Sequence, residues 1–316
     1  MPRPAVVPRY YPFLRGRRYE LAILGELAEA GRPADHIVPI LEPVLLQGLR
    51  KNVRAWNDRT RDLILIVNPR GGMKTSTIAD LISMSGELEL SENRIRAGIL
   101  ISRRISLDKL RKLLDAFDAY RPVAIHLQAH VEESAIVRLL TRRKVQTHVF
   151  AERTVSPGYP DLFSGARILL RDGFQKKARN ADYPDLSDFD SPLRSYAKDG
   201  YEGFGDFAII GDHESGRGIP RSVAIHLTHL APHKRLQVRH LVSRTKFDVG
   251  PARMFLDALE QLPAFLQGAP GGTKTTAVCE FLALLAARHF PNLGRSKCLA
   301  ARHHIELIAA HLAVSH

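Results

Sequence analysis

The chain has 316 residues, 45% of them hydrophobic, and carries 46 Lys and Arg against 33 Asp and Glu, a formal net charge of +13. That length suits one large α/β barrel or about two average domains, and no apolar run approaches the roughly 18 residues of a membrane span. Two cysteines, Cys279 and Cys298, without CxxC spacing, exclude a disulfide scaffold or a thiolate zinc site; with a Pro-rich start lacking an apolar core, they set the expectation of a cytoplasmic, non-membrane protein.

The first 210 residues alternate short apolar runs with amphipathic stretches. Tyr10 to Leu14 is a short extended segment containing Pro12. Tyr19 to Ala30 predicts a helix with Leu21, Leu24, Leu27 and Ala28 on one face. Ile37 to Leu41 is a second strand, followed by a polar helix around Leu49 to Trp56. Asp62 to Val67 is wholly apolar after its first residue, the pattern of a parallel strand covered on both faces. Ala97 to Ile101 is the fourth strand. Ser106 then caps a helix with Leu107, Leu110, Leu113, Leu114 and Phe117 in phase. Pro122 to Leu127 is the fifth strand. Glu132 and Glu133 open the next helix and Arg142, Arg143 and Lys144 close it, in the order the helix dipole favours. Gln146 to Ala151, Arg167 to Leu170 and Phe207 to Ile210 complete eight strands.

Strand and helix alternating at intervals of roughly 25 to 35 residues imply right-handed βαβ units. A closed barrel and an open doubly wound sheet both fit. The count near eight, and the lack of a Gly-rich dinucleotide loop after the first strand, favour a (β/α)8 TIM-barrel-like α/β fold with an inserted hairpin and extra C-terminal helices. Residues 1–316 read as a single barrel-like domain: βα repeats over 1–212, a lid-like polar loop at 175–206, a hairpin within 213–250 and C-terminal helices over 251–316. The hairpin strands are Val223 to Leu230 and Leu236 to Ser243; the helices are Arg253 to Phe265, Thr273 to His289 and Ser296 to Leu312.

Ligands of parallel α/β folds bind at the carboxyl ends of the strands. Here those ends carry Arg15, Glu42, Asn68 and Arg70, Ser102 and Arg103, His126 and Gln128, Glu152 and Arg153, Arg171 and Asp172, and Asp212 and His213. Glu42, Glu152, Asp172 and Asp212 could supply an acid/base pair or hold a divalent metal. Arg15, Arg70, Arg153 and Arg171, with Arg179 and Asn180 in the long loop, could grip phosphate or carboxylate. The net positive charge favours an anionic partner, nucleic acid or a phosphorylated ligand, although an Arg-rich composition also arises without one. The matching reaction is hydrolysis, phosphodiesterase-, nuclease- or glycosidase-like. The alternative is a non-catalytic scaffold that binds nucleic acid or a partner.

Weaker motifs remain. Residues 71–75 (Gly-Gly-Met-Lys-Thr) and 271–275 (Gly-Gly-Thr-Lys-Thr) lack P-loop context and read as helix caps. His303 and Glu306 could share a helix face as a metal site or, more simply, a polar pair; His226 and His240 are equally open. Asp182, Asp185, Asp188 and Asp190 lack the glycine and glutamate of an EF-hand and read as a solvated lid.

Several segments are familiar as a set: Tyr10-Tyr-Pro-Phe-Leu-Arg-Gly-Arg-Arg-Tyr-Glu-Leu21, Arg171-Asp-Gly-Phe174, Arg179-Asn-Ala-Asp-Tyr-Pro184, Gly200-Tyr-Glu-Gly-Phe-Gly-Asp-Phe207, Val223-Ala-Ile-His-Leu-Thr228 and His303-His-Ile-Glu-Leu307. Together they resemble the bacterial and phage "Beta protein" family across nearly the whole chain. The resemblance implies a companion protein encoded nearby and a mobile-element or phage-defence setting. It also implies that Arg15, Arg171, Asp172, Arg179, Asn180, Asp182, Asp206 and Asp212 matter.

Overall fold

The computed structural model describes residues 9–29, 32–45, 47–59, 61–70, 94–212, 221–244, 250–269 and 273–314. It forms two compact units, Met1–Arg171 with Ser195–Gly205, and Asp172–Arg194 with Asp206–His316.

The first unit is built on a nine-strand sheet: β1 (Arg9–Tyr10), β2 (Phe13–Arg15), β3 (Ile40–Glu42), β4 (Leu63–Ile66), β5 (Ile95–Ile101), β6 (Val123–His126), β7 (Thr147–Ala151), β8 (Ala166–Arg171) and β10 (Gly203–Asp206). Every pairing is parallel. β1 and β2 are two halves of one extended segment, separated by Tyr11 and Pro12. One flank of that segment pairs with β10, through Tyr10 with Phe204 and the Tyr11 amide donating to the Phe204 carbonyl at 2.8 Å. The other flank pairs with β3, the Val38 amide donating to the Tyr10 carbonyl and that of Ile40 to Pro12, each at 2.9 Å. The sheet therefore curls round until its first segment is paired on both flanks, by β10 on one side and β3 on the other. Pro12 has no N–H to give, which splits the strand where it changes partner.

The sequence expectation places the last strand at Phe207 to Ile210; the structure places it at Gly203–Asp206. Ala208 has φ +48°, so the apolar run is a buried turn rather than a strand. The true strand presses against Tyr11. A Cβ at Gly203 would lie 2.5 Å from the Tyr11 ring, and one at Gly205 would collide with the Tyr11 carbonyl oxygen. Two glycines hide this strand from a hydrophobicity reading.

Outside the sheet lie α1 (Arg18–Ala28), α2 (Leu49–Asn57), α3 (Leu107–Ala116) and α4 (Glu133–Arg142). The Ser106 side chain accepts from the Lys109 amide, the cap expected of it. No α-helix separates β7 from β8; a short 3-10 turn at Tyr159–Leu162 takes its place. Tyr159 and Phe163 there pack on His126, His148 and Phe150 from β6 and β7. His126 Nε2 sits 3.2 Å from His148 Nδ1, and its Nδ1 sits 3.2 Å from the Tyr159 hydroxyl. Burial, then the neighbouring His148, holds His126 well below its ordinary pKa, and burial pushes His148 down to about 4.

The second unit holds an antiparallel sheet in the order β11 (Ala224–Ala231), β12 (Arg235–Val242), β9 (Leu186–Asp188). The expected hairpin is β11–β12, with Ala224 opposite Val242 and Ala231 opposite Arg235. β9 adds to its edge from within the polar stretch read as a loop. Helices α5 (Gly250–Leu259), α6 (Leu262–Gly268), α7 (Thr276–Ala286) and α8 (Leu293–Val314) follow. Ile225, Leu227, Phe255, Phe281, Leu299 and Ile305 are buried in its core.

Candidate functional site at the strand ends

The charged residues at the carboxyl ends of the strands divide between the two units. In the first, Arg15 and Glu42 are register neighbours on β2 and β3. Glu42 is buried. Arg70, four residues past β4, folds back on it: the Arg70 amide donates to Oε1 at 2.6 Å, and a guanidinium nitrogen donates to Oε2 at 2.8 Å. Nε adds contacts of 3.2 Å to both oxygens. Two guanidinium N–H groups and a backbone amide hold the Glu42 side chain in place, and it aims the arginine in turn. Across the rim, Arg171 grips Glu152 the same way, Nε to Oε2 and a terminal nitrogen to Oε1 at 2.6 Å. The Glu152 amide extends the β7–β8 ladder by donating to the Leu170 carbonyl, which sets the two side chains abreast.

Between these pairs the loops after β5, β6 and β7 surround a cavity of about 530 Å³, lined by Arg103, Gln128, Ala129, His130, Val131, Glu133 and Thr154. Its walls are tied together. His130 accepts from the Glu132 amide at 2.9 Å through Nδ1, so its Nε2–H donates to the Ile105 carbonyl at 2.8 Å. The Val131 amide donates to the Arg103 carbonyl at 3.1 Å, and the Thr154 hydroxyl donates to the Leu127 carbonyl. Arg103 and Gln128 are exposed at this cavity, and among the described residues no carboxylate pairs with Arg103. Asn68 is structural: its amide donates to the Leu100 carbonyl at 2.9 Å and its oxygen accepts from the Leu100 amide at 2.8 Å, prolonging the β4–β5 ladder. Arg153 lies just past β7 and is exposed.

The sequence reading missed Glu20. It is the third residue of α1 and is buried, with Oε2 meeting no hydrogen-bond partner among the described residues. Its carboxyl group accepts from the backbone amides of Arg15 and Arg17, half of a capping box at a helix whose N-cap side chain makes no capping bond. Burial raises its pKa to about 7, with Arg17 and Arg15 opposing the shift. A glutamate three residues after a helix start was legible; its burial was not.

The remaining candidates belong to the second unit. Asp172 accepts from the Asp212 amide at 3.0 Å. Arg179 pairs with Asp182 on the surface, and the Asn180 amide donates to the Ser222 carbonyl at 2.7 Å. Asp185 and Asp188 pair with Arg239 and Arg235, so these aspartates form a row of ion pairs rather than a cation cage. His303 and Glu306 have separate partners. His303 bridges Thr275 Oγ1 at 2.8 Å and the Thr228 carbonyl at 2.6 Å, while Glu306 accepts from the Ala277 amide at 3.1 Å. His304 joins Thr228 Oγ1 at 2.8 Å to Asp206 at 3.2 Å, all three with 0% exposure, so this chain of polar groups ties α8 to β11 and meets no solvent. His226 and His240 face each other across the hairpin with 2.7 Å between their Nδ1 atoms, and Ser187 Oγ lies 2.8 Å from His240 Nε2. Among the described residues, no three His, Cys, Asp or Glu form a group able to hold a metal ion. Thr275 caps α7 by accepting from the Val278 amide, as the Gly-Gly-Thr-Lys-Thr segment suggested; residues 71–75 and His213 lie outside the described residues. No described helix is long and apolar enough to cross a membrane.

No family model matches the chain, and no curated protein matches it. Among solved structures, FabK from Thermotoga maritima aligns over 98% of this chain and 92% of its own, at 11% identity and a TM-score of 0.41. The chain is a (β/α)8 TIM-barrel-like α/β protein, as its own strand pairing establishes.

Proposed function

We propose that this barrel protein binds an anionic ligand, nucleic acid or a phosphorylated molecule, at the carboxyl ends of its strands. The observation that carries the reading is Arg103, an exposed guanidinium that pairs with no carboxylate among the described residues, set on a cavity of about 530 Å³ where barrels bind ligands. Gln128 adds an exposed amide beside it. The net charge of +13 supports an anion as the ligand. On its resemblance to the Beta protein family, the protein works in the cytoplasm in a phage-defence or mobile-element setting, beside a companion protein encoded nearby.

In the enzymatic form of this reading, Glu42 and Glu152 serve a hydrolysis of phosphodiesterase, nuclease or glycosidase type; among the described residues no group of His, Cys, Asp or Glu fits a divalent metal there. In the second form the barrel is a scaffold that binds without turnover. Neither Glu42 nor Glu152 lines the cavity and each is held by an arginine, which favours the second. Binding of labelled single- and double-stranded oligonucleotides to the wild type and Arg103→Ala tests the common claim. Loss of one charge-assisted contact should weaken binding about tenfold. Unchanged affinity in the variant would remove Arg103 from the site. Turnover of phosphodiester or glycoside substrates with magnesium or manganese, abolished by Glu152→Gln, would select the enzyme; none in the wild type would select the scaffold.

A further inference from the structure

A second basic cleft lies on the outer helices of the first unit. α3, α4 and Arg143 line a cavity of about 450 Å³ with Leu107, Ala135 and Leu139 as its apolar residues and Arg111, Arg138, Arg142 and Arg143 as its basic ones. Two of these arginines have local counter-ions: Arg111 meets Asp108 at 2.6 Å and Arg143 meets Asp115 at 2.5 Å. Arg138 and Arg142 are exposed, and among the described residues neither pairs with a carboxylate. They stand one turn apart on the same face of α4, a spacing comparable to that of successive phosphates on a nucleic-acid strand. Lys109 and Lys112 on α3 and Lys144 beyond α4 are exposed as well, so these two helices and the residues flanking α4 carry seven basic side chains against four acidic ones, Asp108, Asp115, Glu132 and Glu133.

This cleft abuts the mouth. Glu133 lines the mouth cavity and Ala135, half a turn on, lines the outer one; Arg103 stands four residues before Leu107. Basic groups thus continue from Arg103 along α3 and α4. We infer that this outer cleft holds the phosphate backbone of a nucleic-acid strand that also reaches the mouth. The inference rests on the nucleic-acid form of the function proposed above and extends it to a named surface. The cleft has arginines for phosphates and no aromatic side chain for stacking bases, so it positions a strand without reading its sequence.

The test is fluorescence anisotropy with a labelled single-stranded oligonucleotide over a salt series, on the wild type, R138A/R142A and a control pair, K198A/R253A. The control removes the same charge at exposed positions elsewhere. Removing two phosphate contacts should lower the slope of log affinity against log salt by about 1.4, at roughly 0.7 per phosphate on a single strand, while the control slope stays put. Equal slopes for R138A/R142A and the wild type, or an equal drop in the control, would overturn the inference and leave the proposed function standing. A wild type that binds no oligonucleotide at low salt would overturn both. Binding of polyglutamate, and of no oligonucleotide, through Arg138 and Arg142 would make the cleft a protein-docking site and overturn the inference.

Discussion

Replacing Glu20 with Gln should stabilise the protein, and by an amount that depends on pH. The side chain is 7% exposed, and burial raises its pKa from 4.5 to about 7. A raised carboxyl pKa means that the folded state holds its proton more tightly than the unfolded state. Between pH 4.5 and 7 stability therefore falls as pH rises, by about 1.4 kcal/mol per unit, and the loss is complete above pH 7. Across that window the sum is about 3 kcal/mol of strain from the ionised carboxylate. Glutamine keeps an oxygen for the Arg15 and Arg17 amides and carries no charge to desolvate. Urea unfolding of wild type and E20Q at pH 5 and pH 8 reads the difference. E20Q should be more stable by up to about 3 kcal/mol at pH 8 and nearly equal at pH 5. A gap of the same size at both pH values would refute the reasoning, and so would a variant less stable at pH 8.

The buried histidines act in the opposite direction. His148, His240 and His303 have pKa values of about 4 and His226 of about 3, each lowered chiefly by burial. Their contribution is whole above the unfolded pKa near 6.5 and is lost as pH falls toward 4, at about 1.4 kcal/mol per unit for each. In the E20Q background the urea midpoint should fall steadily from pH 6.5 to 4.5; a flat profile would contradict this. Gly205→Ala would drive a Cβ into the Tyr11 carbonyl beside the β1–β10 pairing, at a cost on the order of 1–3 kcal/mol or more. A thermal melt unchanged from wild type would mean that β10 and Tyr11 are not close-packed there.

The parts of the fold readable in the sequence are those in which local pattern and tertiary burial agree. Leu63–Ile66 is apolar throughout because the strand is covered on both faces, and Ser106 caps α3 by a contact three residues away. β10 was displaced because its Gly-Phe-Gly-Asp sequence answers to the approach of Tyr11, a contact nearly 200 residues distant in the chain. β9 looks like loop because Leu186 and Asp188 are exposed and only pairing with β12 makes it a strand. The same holds at the site. Charged strand ends are visible along the chain, whereas the Glu42–Arg70 and Glu152–Arg171 pairs join different strands and depend on the barrel. Arg103 was visible as a strand-end residue, but its place on the cavity beside Gln128 and Thr154 is a property of the fold.

The most direct test of the functional account is the affinity of the wild-type protein for a single-stranded oligonucleotide as salt is raised from about 50 to 200 mM. The account predicts measurable binding at the low end and a straight, steep decline of log affinity with log salt, the signature of displaced phosphate counter-ions. No binding at the lowest salt would contradict it and leave the +13 charge as composition alone.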